Sequence, residues 1–155
     1  MGKYIKVLKE LAIEKLAEKS TMPRYTIPAP SYTDKTANGL TRCIIDFIKL
    51  NGGQAERINV VARMVNGKHV KSTMTKGTAD ISATIPIEVV LPKDLSNDSV
   101  VVSKVGLSVK IEVKIGKDRQ SEYQKIYEKD INNAGGIYYI AKDFDSFYEF
   151  YKDNF

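Results

Sequence analysis

The sequence is poor in the residues on which much metal, disulfide and nucleophile chemistry depends. It has one cysteine, Cys43, one histidine, His69, and no tryptophan. A single thiol makes no intramolecular disulfide, which suits a reducing compartment. One histidine and one cysteine exclude zinc fingers and multi-histidine zinc sites. No apolar run approaches the roughly 18 residues that a bilayer span needs. The N-terminal segment sets Lys3, Lys6, Lys9 and Glu10 among its apolar residues and has no signal-peptide apolar stretch. A soluble, cytoplasmic protein with no membrane partner is expected. No phosphate-cradling glycine loop follows a candidate strand, which argues against nucleotide-driven chemistry.

What is present points to one folded domain. The chain has 155 residues, 43% of them hydrophobic and 28% charged, a balance suited to a single core with an ordinary solvated surface. Nine Tyr and five Phe supply bulk for that core. The formal charge is +5 and the pI about 9.1, a basic balance that favours a polyanionic partner such as nucleic acid.

Helical spacing places Ile5, Leu8, Ala12 and Leu16 on one stripe of a segment over 2–19. An N-terminal amphipathic helix (1–22) is therefore expected, packed on the domain or on a second subunit. Residues 23–35 contain Pro23, Pro28 and Pro30 and read as an extended connector. The main domain spans 36–155. Its first helix starts after Asp34 or Thr36, either a suitable cap, and carries Leu40, Cys43, Ile44, Phe47 and Ile48 on one face. Asn51-Gly52-Gly53 ends it. Cys43 lies in that stripe, so it is a packing residue.

Strands are expected over 56–65, 78–85, 107–115 and 137–141, with a turn at Asn66-Gly67 and an excursion over 86–106 whose apolar pieces form an extra hairpin. Helices are expected over 120–134, with Tyr123, Ile126, Tyr127, Ile131 and Ala134 inward, and over 143–152, with Phe144, Phe147, Tyr148 and Tyr151 inward. The fold class is α/β (α+β), with a central mixed β-sheet flanked by helices and an extra N-terminal helix.

Alternation carries the chemistry. Residues two apart in a strand share a face. In 107–115, Ser108, Lys110, Glu112 and Lys114 face one way; in 78–85, Thr78, Asp80, Ser82 and Thr84 do. If the two strands pair with apolar faces together, Asp80, Glu112 and Lys114 share the polar side. Two carboxylates suit a hard cation such as Mg²⁺ or Mn²⁺, with the Val113 carbonyl as a further donor. A lysine beside them offsets charge in a phosphoryl transition state. An isolated E-x-K in a strand is more often a solvated pair.

Here it is not isolated. Gly77-Thr78-Ala79-Asp80, Glu112-Val113-Lys114, Ser121-Glu122-Tyr123-Gln124 and Gly135-Gly136 before an apolar strand occur in that order. This set, over roughly residues 36–150, resembles the PD-(D/E)xK nuclease superfamily and, more narrowly, its VRR-NUC family of phage and bacterial stand-alone domains. The resemblance implies a restriction-endonuclease-like core, with Asp80 and Glu112 as metal ligands, Lys114 as the catalytic lysine, and Gln124 beside the site. Ser121 matches the serine that opens the family's helix, although it reads equally as an N-cap.

Two positions depart from the family pattern. Ala79 stands where the family usually has proline, and Asn38 where it often has an acid; the second change puts a second metal in doubt. Arg57 and Asn59 resemble a family R-x-N stretch, and with Lys76, Lys110, Lys117, Arg119 and Ser121 they are the candidate nucleic-acid contacts. Each alone is more often a surface residue. The expected function is metal-dependent hydrolysis of DNA phosphodiester bonds, with branched or flapped DNA as candidate substrate and a homodimer as candidate assembly. Two other readings stand beside it. One is a catalytically inactive basic DNA-binding or phage-assembly module. The other is an interaction protein that assembles through its N-terminal helix.

Overall fold

The computed structural model describes residues 2–58, 63–65, 68–70, 74–94 and 97–155, and the side chains of 2–58, 74–90 and 102–155. Helices α1 (Lys3–Glu18), α2 (Ala37–Leu50), α3 (Glu122–Asn133) and α4 (Phe144–Asn154) accompany strands β1 (Gln54–Arg57), β2 (Arg63–Val65), β3 (Lys68–Val70), β4 (Ile81–Asp94), β5 (Asn97–Val113) and β6 (Ile137–Ala141). The architecture is mixed α+β. A four-stranded sheet runs in the order β1-β4-β5-β6. Its first three strands are antiparallel and β6 is parallel to β5. A separate small ladder pairs β2 with β3.

The sheet divides the molecule chemically. One face presents Ile81, Ala83, Ile85, Val109, Ile111 and Val113, all buried, to a core shared with α2 and α4. In α2, Leu40, Cys43, Ile44, Phe47 and Ile48 are all buried, as the helical period requires. Thr36, not Asp34, caps this helix, its hydroxyl accepting from the Gly39 N–H at 3.1 Å. Phe47 sits edge-on to Phe144, Phe147 and Tyr151.

α1 belongs to the same core. Ile5, Leu8 and Ala12 are buried, the ring of Tyr4 stacks on Tyr148 at 4.0 Å, and the Asp145 carboxylate accepts from the backbone N–H of Lys3 and Tyr4 at 2.8 and 2.9 Å. Leu16 departs from the expected stripe and is 46% exposed, because the core ends before the last turn of α1. The connector holds one 3₁₀ turn, Arg24–Thr26, and is anchored by buried Tyr32, whose hydroxyl meets Asp46 at 3.0 Å.

Other boundaries moved for physical reasons. The expected strand over 56–65 is two elements: β1 ends at Arg57, and β2 belongs to the other ladder. The strand expected from residue 78 starts at Ile81, because Gly77 has a left-handed backbone (φ +85°) and turns the chain. The excursion over 86–106 is the continuation of β4 and β5, paired from Ile81–Ile111 out to Asp94–Asn97. Among the described residues nothing pairs with that edge of β4 beyond Thr84, and proline is tolerated where its missing N–H faces an unpaired edge. This explains how Pro86 and Pro92 sit inside a long strand. The Asn66-Gly67 turn lies outside the described residues. Among those residues no helix is long and apolar enough to cross a membrane.

Candidate active site

The other face of the sheet is polar, and α3 packs over its β6 side. That corrects the expectation for α3 in part: Tyr127 and Ile131 turn inward, but Tyr123, Ile126 and Ala134 do not. Tyr123 and Ile126 are 55% and 59% exposed, Ala134 is exposed, and no residue of the helix is fully buried. Gln124, Tyr127, Glu128 and Ile131 are the partly buried positions. A helix over a polar sheet face gains by bringing it hydrogen-bond partners, because buried polar groups must be paired.

Asp80, Glu112 and Lys114 come together here. Asp80 lies one step beyond the Ile81–Ile111 pair, across from Glu112. Its carbonyl accepts from the Ile58 N–H at 2.7 Å, and its carboxylate accepts from the Val113 N–H at 2.9 Å. Asp80 is thus pinned between β1 and β5, next to the Glu112-Val113 peptide. The loop before it is held by Gly77. A Cβ there would lie 2.2 Å from the Tyr123 carbonyl oxygen, so only glycine lets the loop touch the first turn of α3.

Glu112 is only 2% exposed. Lys114 Nζ stands 3.1 Å from its Oε1 and 3.3 Å from Asp118 Oδ2. The Gln124 side-chain amide donates a short hydrogen bond to the same Oε1, and the Tyr138 hydroxyl lies 3.5 Å from Oε2. Burial pushes the Glu112 carboxyl above the usual carboxylate range, and the Asp80 charge pushes the same way, against Lys114 and Gln124. For Lys114 burial works to lower the ammonium, but hydrogen bonds and charge from Glu112 and Asp118 outweigh it and its pKa rises.

Gln124 is oriented by the helix it sits on. Ser121 caps α3 in a reciprocal capping box: its Oγ accepts from the Gln124 N–H at 3.3 Å, and its own N–H donates to Gln124 Oε1 at 2.8 Å. With the amide oxygen turned to Ser121, the NH₂ group must face Glu112. Ser121 is therefore a cap in this structure, and it acts on the site through Gln124.

The basic candidates are less concentrated. Lys110 shares the Glu112 face and donates to Ser82 Oγ at 2.6 Å. Lys76 lies over the Tyr123 ring at 5.1 Å, just before the Gly77 turn. Arg57 is exposed at the end of β1, paired with Ile81 at the start of β4. Lys117 and Arg119 line an open depression with Gly116, Asp118 and Lys142. Asn38 is exposed on the first turn of α2. Asn59 and the His69 side chain lie outside the described residues.

The donor set fits a hard divalent cation. Asp80 and Glu112 offer carboxylate oxygens, and Val113 a nearby carbonyl. Among the described residues no group of three or more Asp, Glu, His or Cys side chains converges. Two side chains with backbone and water fit one ion better than two. The sequence did not point to Tyr138 or Asp118. The only signal was Tyr138-Tyr139, two aromatics in succession in an aliphatic strand, one of which must face the polar side.

Compared with family models, with curated proteins and with solved structures, the chain matches none.

Proposed function

We propose that the chain is a Mg²⁺- or Mn²⁺-dependent DNA endonuclease of PD-(D/E)xK type, similar to the VRR-NUC family and built on a restriction-endonuclease-like core. One observation carries this reading. Asp80 is clamped by the Val113 N–H beside a Glu112 that is almost wholly buried, so two like charges are held together where a divalent cation would relieve what Lys114 offsets only in part. The antiparallel β1-β4-β5 set, followed by α3 and a parallel β6, supplies the frame.

In this reading Asp80, Glu112 and the Val113 carbonyl hold the ion. A divalent cation held there would polarise a phosphodiester and lower the pKa of a bound water. Lys114, kept charged by Glu112 and Asp118, orients the attacking water and offsets charge on the phosphoryl oxygens. Gln124 fixes the Glu112 carboxylate. Arg57, Lys76, Lys110, Lys117 and Arg119 hold backbone phosphates, which makes binding salt-dependent. Cutting both strands of a branched substrate needs two centres, and a homodimer supplies them.

The test is cleavage of linear, nicked, flapped and four-way DNA with and without Mg²⁺ or Mn²⁺. Metal-dependent product supports the endonuclease. A second reading, a DNA-binding module without catalysis, draws on the neutral Asn38. DNA binding with no cleavage in either metal would decide for that reading.

A further inference from the structure

The Glu112 carboxylate is gripped at both oxygens, from different elements. Gln124 on α3 and Lys114 on the chain just after β5 meet Oε1. Tyr138, on β6, reaches Oε2 at 3.5 Å. Tyr138 is buried and pairs in register with Lys110, so its side chain enters the site from the strand opposite β4. The phenol hydroxyl donates to Glu112 Oε2, a carboxylate oxygen that can only accept while ionised.

We infer that Tyr138 is a positioning residue: its hydroxyl pins Oε2, so that Glu112 turns one fixed edge towards a divalent cation beside Asp80. This rests on the metal-centre reading above. A partner that orients a metal-binding carboxylate typically tunes affinity 10- to 100-fold without touching the ion. Packing alone does not need the hydroxyl. The ring meets Tyr127 edge-on at 6.2 Å, and phenylalanine would keep that contact.

The test is Mn²⁺ titration followed by electron paramagnetic resonance of the free ion, on the wild type, Tyr138→Phe and Asp80→Asn, alongside the Mn²⁺ dependence of DNA cleavage. The wild type binds and Asp80→Asn does not. Tyr138→Phe binds about 10- to 100-fold more weakly, keeps a cooperative melting transition, and recovers cleavage to within a few-fold of wild type at saturating Mn²⁺. Equal affinity in wild type and Tyr138→Phe would overturn the role of Tyr138 and leave the metal centre standing. Loss of the cooperative transition together with affinity would mark a packing role and overturn it as well. No Mn²⁺ binding by the wild type, or undiminished binding by Asp80→Asn, would overturn the metal centre and the positioning role together.

Discussion

Replacing Gln124 by glutamate separates the two jobs of this side chain. Glutamate at the third position of a helix completes a capping box as well as glutamine does, so the bond from Ser121 N–H survives. The donor to Glu112 is lost, and a third carboxylate enters beside Asp80 and Glu112. Losing a hydrogen bond to a charged group costs about 1.5–3 kcal/mol. Two unit charges 4 Å apart repel by about 4 kcal/mol at an effective dielectric constant near 20, but paired carboxylates avoid part of this by taking up a shared proton. A net loss of about 2–4 kcal/mol at pH 8 follows, or roughly 4–16 °C in Tm for a chain of this size.

The pH dependence has a definite sign. Glu112 already has its folded-state pKa raised above the unfolded value. The folded protein therefore binds the extra proton, and stability rises as pH falls through the folded pKa towards the unfolded one. The added carboxylate strengthens that coupling, so the Gln124→Glu penalty should shrink as pH falls from 8 to 5 and the pair takes up a shared proton that removes repulsion. Gln124→Ala loses cap and donor but adds no charge, so its penalty should fall less with pH than that of Gln124→Glu. Urea denaturation at pH 5 to 8 measures both. A Gln124→Glu penalty equal at pH 5 and pH 8 would refute the placement of the amide against Glu112.

Two further outcomes follow from the packing. Ile5→Ala removes a fully buried side chain of α1 and should cost about 2–5 kcal/mol in urea denaturation; a loss under about 0.5 kcal/mol, the range of ordinary surface substitutions, would place α1 outside the core. Burial pushes the Cys43 thiol up to about 11, so a disulfide exchange reagent at pH 7.5 should label it only as fast as the protein unfolds, and immediately in urea.

Elements were legible where one period served one apolar face. α2 and α4 each bury a 3.6-residue stripe on the same side of the sheet, and the alternation of Val109, Ile111 and Val113 survives intact in β5. Reading failed where the face was polar or the strand had no neighbour. Tyr123 and Ile126 look like a core stripe only if the surface beneath α3 is apolar, and here it carries Glu112 and the Tyr138 side chain. Pro86 and Pro92 look like strand breakers only if both edges of β4 are paired.

The same contrast holds for the site. Asp80, Glu112 and Lys114 could be placed on one side by local alternation. The grip of Tyr138 depends on the parallel pairing of β6 with β5, a long-range event with no local signature. Gln124 was visible as a residue, but its orientation needed the reciprocal bond with Ser121.

The central claim is that Asp80 and Glu112 together form a metal centre that hydrolyses DNA. Asp80→Asn tests it most directly, because the amide oxygen still accepts from the Val113 N–H while the charge is gone. The measurement is the cleavage rate in Mg²⁺ for wild type and Asp80→Asn, with matched melting curves. A fall of at least about 100-fold, some 2.7 kcal/mol in the barrier, with an unchanged melting transition is the predicted result. Cleavage at the wild-type rate by a folded Asp80→Asn protein would contradict it.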